Sequence, residues 1–374
     1  MQAPKGAGGL RPIRYTLKAS LNRKADGVTI VDETLYSFRK MKRSKRDFMT
    51  ITEIAKMAGV SVSAVSRYLN DGYISAEKRK KIKAVIDRTG YKPSKQAQIL
   101  RTKKSKVIGV ILPKISSESI ARVADGISSV LSGAGYQMLL ASTENQPKRE
   151  IEYLNLFKNN PVDGILFSAS VFDKAHREAL KRLEIPVVII SQKFEGFACV
   201  YHDDYGAAKA MAEIMLRKGC KNIGHIGVIQ EDAAAGKSRT DGYIDAMRES
   251  GIRAAKSMIE VGGFGMDAGY GCMKELLGRH PNLDGVFCAT DTLAVGAMTC
   301  LKDMGKRVPQ DVAVSGIGHN RMSRVVTPKL TTAHLFYKTS GIEAANMLLE
   351  MIEEKSTISR QTKLGYEVIE AESV

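Results

Sequence analysis

The hydrophobic positions fall into two regimes along the chain. Between residues 52 and 90 they recur at helical spacing in short pieces. Ile54, Ala55 and Ala58 share one face, Gly59 stops that piece, and Ser61 is placed to cap a second helix carrying Val62, Val65 and Leu69. A third helix is predicted from about Ser75 through Ile82, Val85 and Ile86 to Thr89-Gly90, with Glu77 complementing the dipole of its first turn. Tyr91-Lys92-Pro93 then breaks the chain, and one more short helix is expected over residues 94–101 ahead of a basic linker at 102–106.

From Val107 the pattern changes. Apolar runs of strand length occur at 107–112, 138–140, 164–167, 187–190, 222–228, 286–288 and 312–314, with helix-length segments between them. Such runs suit strands buried on both faces of a parallel sheet, and their alternation with helices predicts an α/β body long enough for two lobes. The expected organisation is a leader at 1–48, a small all-α unit at 49–93, a hinge helix and linker at 94–106, and a two-lobed domain at 107–374.

Charge sharpens this division. Of the formal +17, residues 1–48 hold 12 basic and 4 acidic side chains, residues 49–105 hold 13 and 4, and the remaining body holds 32 of each. A neutral body with a basic head points to a separate module that meets polyphosphate. The leader has no useful periodicity and ends in a basic run at 39–46. It reads as disordered, either a solvated tail or an arm that tracks DNA, or as a mis-assigned leader with Met49 as the start.

Several function classes fall away. No apolar run approaches the roughly 18–20 residues of a membrane span, and the N-terminus lacks the apolar core of a signal peptide, so no membrane is expected and the chain reads as cytoplasmic. Cys199, Cys220, Cys272, Cys288 and Cys300 are scattered without a CxxC, which suits reduced core thiols. The histidines form no HExxH, so neither a metal nor another cofactor is expected. With no GxSxG, Walker loop or dinucleotide fingerprint, an α/β enzyme carrying a DNA tether is the weaker alternative.

Two short helices around a glycine turn on a basic segment fit a helix-turn-helix. The string Ile54-Ala55-Lys56-Met57-Ala58-Gly59-Val60-Ser61-Val62-Ser63-Ala64-Val65-Ser66-Arg67-Tyr68-Leu69-Asn70 closely resembles the DNA-binding signature of the LacI/GalR family of bacterial repressors. The resemblance continues through Tyr91, Pro93, Ala97 and Leu100 and covers about residues 49–374. It implies that Val62, Ser63 and Arg67 face base edges, where Arg67 suits a bidentate guanine contact and Val62 a thymine methyl, and it counts Ala64 among the DNA-binding residues. Thr52, Ser61, Ser66 and Asn70 are implied as phosphate-positioning groups, with helix capping as a second role for Thr52 and Ser61. Ala55, Val60 and Val65 are assigned to the core.

In the hinge, Ala97, Leu100 and Arg101 are implied DNA contacts, Leu100 wedging between base pairs from the minor groove. Ser94 and Gln98 depart from the family's usual asparagine and arginine.

For the body, the resemblance implies two periplasmic-binding-protein-like lobes with an effector between them. Arg239 matches an arginine that grips sugar hydroxyls, Asp291 an aspartate that accepts from them, and Tyr337 an aromatic that packs on the sugar. On their own residue chemistry these three equally suit a surface ion pair, a helix cap and a core ring. The stretches 195–207, 227–237 and 288–294 are similar to the trehalose operon repressor branch, which senses a phosphorylated disaccharide. Lys114 and Lys193 would supply cations for it, and Ser117 and Ser119, with Ser116, would donate to sugar or phosphate or simply cap a helix. Gln192 stands where that branch has an arginine.

The expected protein is a homodimeric repressor of a carbohydrate-utilisation operon that binds double-stranded operator DNA and releases it with a sugar or sugar phosphate. The alternative within the family is a catabolite-control regulator with a phosphocarrier protein as co-repressor. The wedge role predicts that Leu100→Ala weakens operator binding far more than non-specific DNA binding in a salt-controlled titration; equal losses would contradict it.

Overall fold

The computed structural model describes residues 49–91, 104–169, 171–355 and 358–374. The leader at 1–48 and the hinge residues Ala97, Leu100 and Arg101 lie outside the described residues. Contacts divide the chain into two compact units, Met1–Pro93 and Ser94–Val374.

The N-terminal unit contains α1 (Ile51–Ala58), α2 (Val62–Leu69) and α3 (Ala76–Thr89). Thr50, not Thr52, caps α1. Its hydroxyl accepts from Glu53 N while the Glu53 carboxylate accepts from Thr50 N at 2.6 Å, a reciprocal capping box. Gly59 ends the helix at φ 62°, a left-handed turn that glycine adopts without cost. Ser61 caps α2 through Ala64 N, and Ile54, Ala55, Ala58, Ala64, Val65, Ile82 and Val85 form the buried core.

The larger unit has two lobes. The first runs through β1 (Val107–Leu112), α4 (Glu118–Gly133), β2 (Gln137–Ser142), α5 (Pro147–Asn159), β3 (Gly164–Phe167), α6 (Lys174–Lys181), β4 (Val187–Ile190) and β5 (Ala198–His202). The chain then crosses into the second lobe: α7 (Asp204–Arg217), β6 (Ile223–Gly227), a π-helical turn (Ala233–Ser238), α8 (Arg239–Glu249), a 3-10 turn (Lys256–Met258), β7 (Ile259–Val261), α9 (Met266–Arg279), β8 (Gly285–Cys288), α10 (Asp291–Asp303), β9 (Ala313–Ile317), α11 (Arg321–Val325) and β10 (Thr331–Leu335). It returns through α12 (Tyr337–Glu354) to the first lobe, adds β11 (Gln361–Leu364) there, and ends with β12 (Tyr366–Ile369) in the second.

The sheets are ordered β11-β5-β4-β3-β1-β2 and β12-β10-β9-β8-β6-β7. The first is parallel throughout, as the apolar runs imply, but β12 pairs antiparallel to β10. Only Gly365 separates β11 in the first sheet from β12 in the second. Strands β5, β7, β10, β11 and β12 add to the seven expected from apolar runs. In β10 the buried positions include Thr331 and Thr332, whose hydroxyls are paired with Ala371 O and the Asp291 carboxylate, so the strand has no continuous apolar run to announce it.

Each lobe packs helices on both faces of its sheet, and close helix crossings are made at glycines. Where α4 meets α12, a Cβ on Gly126 would lie 2.1 Å from Lys338 O, and one on Gly341 would lie 2.1 Å from Val123 O. Backbone oxygens cannot swing aside, so Gly341→Ala should lower unfolding stability by about 1–3 kcal/mol in urea titration. The exposed Gly271 within α9 is different, because a methyl group added there would meet no atom within 4 Å. Gly271→Ala should instead raise stability by up to about 1 kcal/mol.

Candidate nucleic-acid interface and effector cleft

Helix α2 presents two faces. Ala64 and Val65 turn into the three-helix core, while Ser61, Val62, Ser63 and Arg67 are exposed and Ser66 is half-buried beside them. The exposed set recurs at helical spacing, so Val62, Ser63, Ser66 and Arg67 share a surface that a groove could receive. Val62 keeps 43% of its surface exposed on that face. Asn70 closes the helix, and its amide donates to Ser66 O.

Two of the sequence-based assignments change here. Ala64 is 7% exposed, and its methyl group fills the core between helices, so its side chain does not reach a partner. Thr52 is exposed in the first turn of α1 but does not cap it, because Thr50 already occupies that position.

In the larger unit a cavity of about 430 Å³ opens between the lobes. Both earlier crossovers feed it: His202 ends β5, Asp204 starts α7, and Tyr337 starts α12. Arg239 is delivered by the π-helical turn. Asp232 anchors that turn by accepting from Ala234 N and Ala235 N, and Gly236 passes so close to Ile229 O that no side chain fits there. A π turn at a functional position is a recurrent device for aiming one side chain.

Arg239 is 5% exposed. Its Nε and Nη2 donate to Asp204 Oδ1 at 2.9 and 2.6 Å, and Nη1 donates to Ala289 O. Burial opposes the guanidinium charge, but the Asp204 carboxylate and the Tyr337 hydroxyl outweigh it and hold the proton more firmly than usual. Burial pushes the Tyr337 phenol up, and its ring meets His202 edge-on with centroids 5.1 Å apart.

Asp291 is the first residue of α10, yet Thr290 caps that helix by accepting from Leu293 N. The Asp291 carboxylate is instead held by the Thr332 hydroxyl at 2.5 Å and Asn320 N at 2.9 Å. Burial raises its pKa to about 6, against the lowering effect of those two donors.

From the first lobe, Lys114, Ser116, Ser117, Ser119 and Gln192 reach the cavity wall. Ser117 occupies the N-cap of α4 without capping it through its side chain; its hydroxyl pairs with that of Ser119 at 2.9 Å. Lys193 is exposed and absent from the lining. The chain turns through a left-handed Ser191 (φ 74°), which aims Ser191 and Gln192 into the cavity but not the residue after them. The pair of cations expected from Lys114 and Lys193 is therefore reduced to Lys114.

Residues that sequence reasoning missed complete the walls. Arg122 on α4 reaches across the cleft, its Nη1 donating to Gly318 O at 3.3 Å and its Nη2 to His319 O at 2.9 Å, while Nη2 also pairs with Glu118 at 2.6 Å. The Glu118 carboxylate accepts from Arg321 N as well, so one ion pair on the first lobe clasps a loop of the second. Only its i, i+4 spacing was visible in the sequence, and that is common on solvated helix faces. Among the described residues, no helix is long and apolar enough to cross a membrane and no cluster suits a metal ion.

Comparison with known proteins places both units. Residues 50–94 match the family described as bacterial regulatory proteins, lacI family, and residues 212–374 match the periplasmic binding protein-like domain. The chain is 30% identical over 327 residues to the HTH-type transcriptional regulator RegA of Clostridium saccharobutylicum, spanning 87% of this chain and 98% of that one. It is also 30% identical over 305 residues to the sucrose operon repressor of Staphylococcus xylosus, spanning 82% and 94%. Among solved structures, a transcriptional regulator CelR–cellobiose complex has a TM-score of 0.69 at 25% identity, covering 87% of this chain and 100% of that chain. The lac repressor dimer bound to operator and the anti-inducer ONPF shares the fold, with a TM-score of 0.78 at 19% identity over 87% and 98%. These relatives come from several branches and do not single out the trehalose repressors. Matched in both units and along nearly the whole length of its relatives, the chain belongs to the LacI family of bacterial transcription regulators.

Proposed function

We propose that this protein is a cytoplasmic homodimeric repressor of a carbohydrate-utilisation operon, whose hold on operator DNA is set by a carbohydrate bound between the lobes. The observation that carries the reading is the convergence of Arg239, Asp291 and Tyr337, three residues far apart in sequence, on one cavity of about 430 Å³. That volume suits a small ligand, and relatives named for sucrose and for cellobiose support a sugar. The helix-turn-helix unit reads the operator through Val62, Ser63 and Arg67, with Ser61, Ser66 and Asn70 on phosphates and Ala97, Leu100 and Arg101 in the hinge. Effector binding favours one lobe arrangement over another, and DNA affinity follows that population. A catabolite-control role is the second reading, supported by 29% identity over 323 residues to catabolite control protein A of Priestia megaterium. A phosphocarrier protein that tightens DNA binding where no sugar changes it would favour that role.

The direct test is a gel retardation assay with an operator selected from random duplexes. A sugar should relieve retardation by the wild-type protein, and Arg67→Ala should cost about 1–3 kcal/mol and relax one base position per half-site. Retention of the full sequence preference by that variant would contradict the assignment. Effector binding should also depend on Asp291. Only its ionised form accepts fully from a sugar hydroxyl, and its carboxyl protonates near pH 6. Affinity should therefore fall as pH drops from 7.5 to 5 in calorimetric titration, and Asp291→Asn should flatten that profile.

A further inference from the structure

The chemistry of the effector is written in the charges of the cavity wall. Three cations line it. Arg239 is committed to Asp204 and the Ala289 carbonyl, and Arg122 to Glu118 and the carbonyls of Gly318 and His319. Lys114 remains, exposed at the rim. Against it stand Asp232 and Asp291, 8% and 1% exposed, neither in an ion pair among the described residues. A dianion placed here would meet buried carboxylates with one solvated ammonium to offset them.

His202 adds a directional clue. It is 5% exposed and lines the cavity, and its Nε2 has no hydrogen-bond partner among the described residues. Its ring hydrogen-bonds the Phe336 backbone, which leaves Nδ1 as the donor in that bond. Burial, the largest influence on the ring, lowers its pKa and keeps it neutral. A neutral imidazole that donates from Nδ1 presents a lone pair at Nε2, and a buried lone pair asks for a donor. Sugar hydroxyls donate, whereas an ionised phosphate only accepts.

Building on the effector reading above, we propose that the ligand of this cleft is an uncharged polyhydroxyl compound, with one hydroxyl donating to His202 Nε2, and not a phosphate ester. The Asp291 carboxylate takes a second hydroxyl, and the Tyr337 ring covers an apolar face of the ligand. His202 thereby selects for a hydroxyl at one ligand position, beyond the family's general preference for carbohydrate.

The test is calorimetric and thermal-shift titration of the full chain with ribose, sucrose, trehalose and cellobiose, alongside ribose 5-phosphate, sucrose 6-phosphate and trehalose 6-phosphate. At least one neutral sugar should bind, and each phosphate ester should bind at least about tenfold more weakly than the tightest neutral sugar. His202→Leu should weaken that sugar about three- to tenfold, whereas His202→Gln, which keeps an acceptor, should retain most of the affinity. Far-ultraviolet circular dichroism of both variants confirms that they are folded. A phosphate ester that binds as tightly as the best neutral sugar overturns the proposal, as does a panel in which no neutral sugar binds or equal loss in both His202 variants. Failure of the repressor reading is separate: it would appear as DNA retardation with no sequence preference.

Discussion

The Arg239 guanidinium and the Asp204 carboxylate lie out of water at the crossover between the lobes, and the cleft is arranged around them. Taking two charges from water costs several kcal/mol per ion, which the pair recovers only through good geometry and further hydrogen bonds. The geometry is supplied by a two-point contact from Nε and Nη2, and the remaining donor is satisfied by Ala289 O at the end of β8. The pair thereby ties α7, α8 and β8 to one point, beside the Tyr337 phenol that starts the return to the first lobe.

That arrangement explains why the cavity wall is polar yet short of free positive charge. Arg239 and Arg122 hold the architecture, one inside the second lobe and one between the lobes, so neither is left to neutralise an anionic ligand. What remains for a ligand are acceptors, at Asp291 and His202, and an aromatic face. The excess positive charge of the chain lies elsewhere, in its first 105 residues, where phosphate contacts and counterion release belong. The two units thus differ in their electrostatics: the first carries excess positive charge, and the second lines its cavity with hydrogen-bonding groups and an aromatic ring.

Much of this was legible in the sequence. The string from Ile54 to Asn70 specified two helices, their glycine turn and the Ser61 cap, because each signal is local. The apolar runs located the strands buried on both faces, and Arg239, Asp291 and Tyr337 do meet in one cavity. The misreadings have a common cause. Ala64 and Thr52 each lie one or two positions from a residue with the expected role, and a helix turns 100° per residue, so a shift of that size moves a side chain from surface to core or out of the cap. Lys193 follows a left-handed Ser191 that no local pattern announced. Asp204, His202 and Arg122 went unread because their partners lie 35 to 197 residues away, and only the crossovers bring them together. Strands β10 and β12 were hidden for a related reason: their buried positions are polar or sparse and are satisfied by distant residues.

The cleft depends on Arg239 and Asp204 acting as one unit. A double-mutant cycle with Arg239→Met and Asp204→Leu, read by urea unfolding of the full chain, measures this directly. Each single change leaves one buried charge without its partner and should cost about 3–5 kcal/mol, while the double variant should lose distinctly less than the sum, since replacing both charges by apolar groups removes the desolvation cost. Additive losses would mean that the two side chains contribute independently, and would contradict the central place given to their pairing.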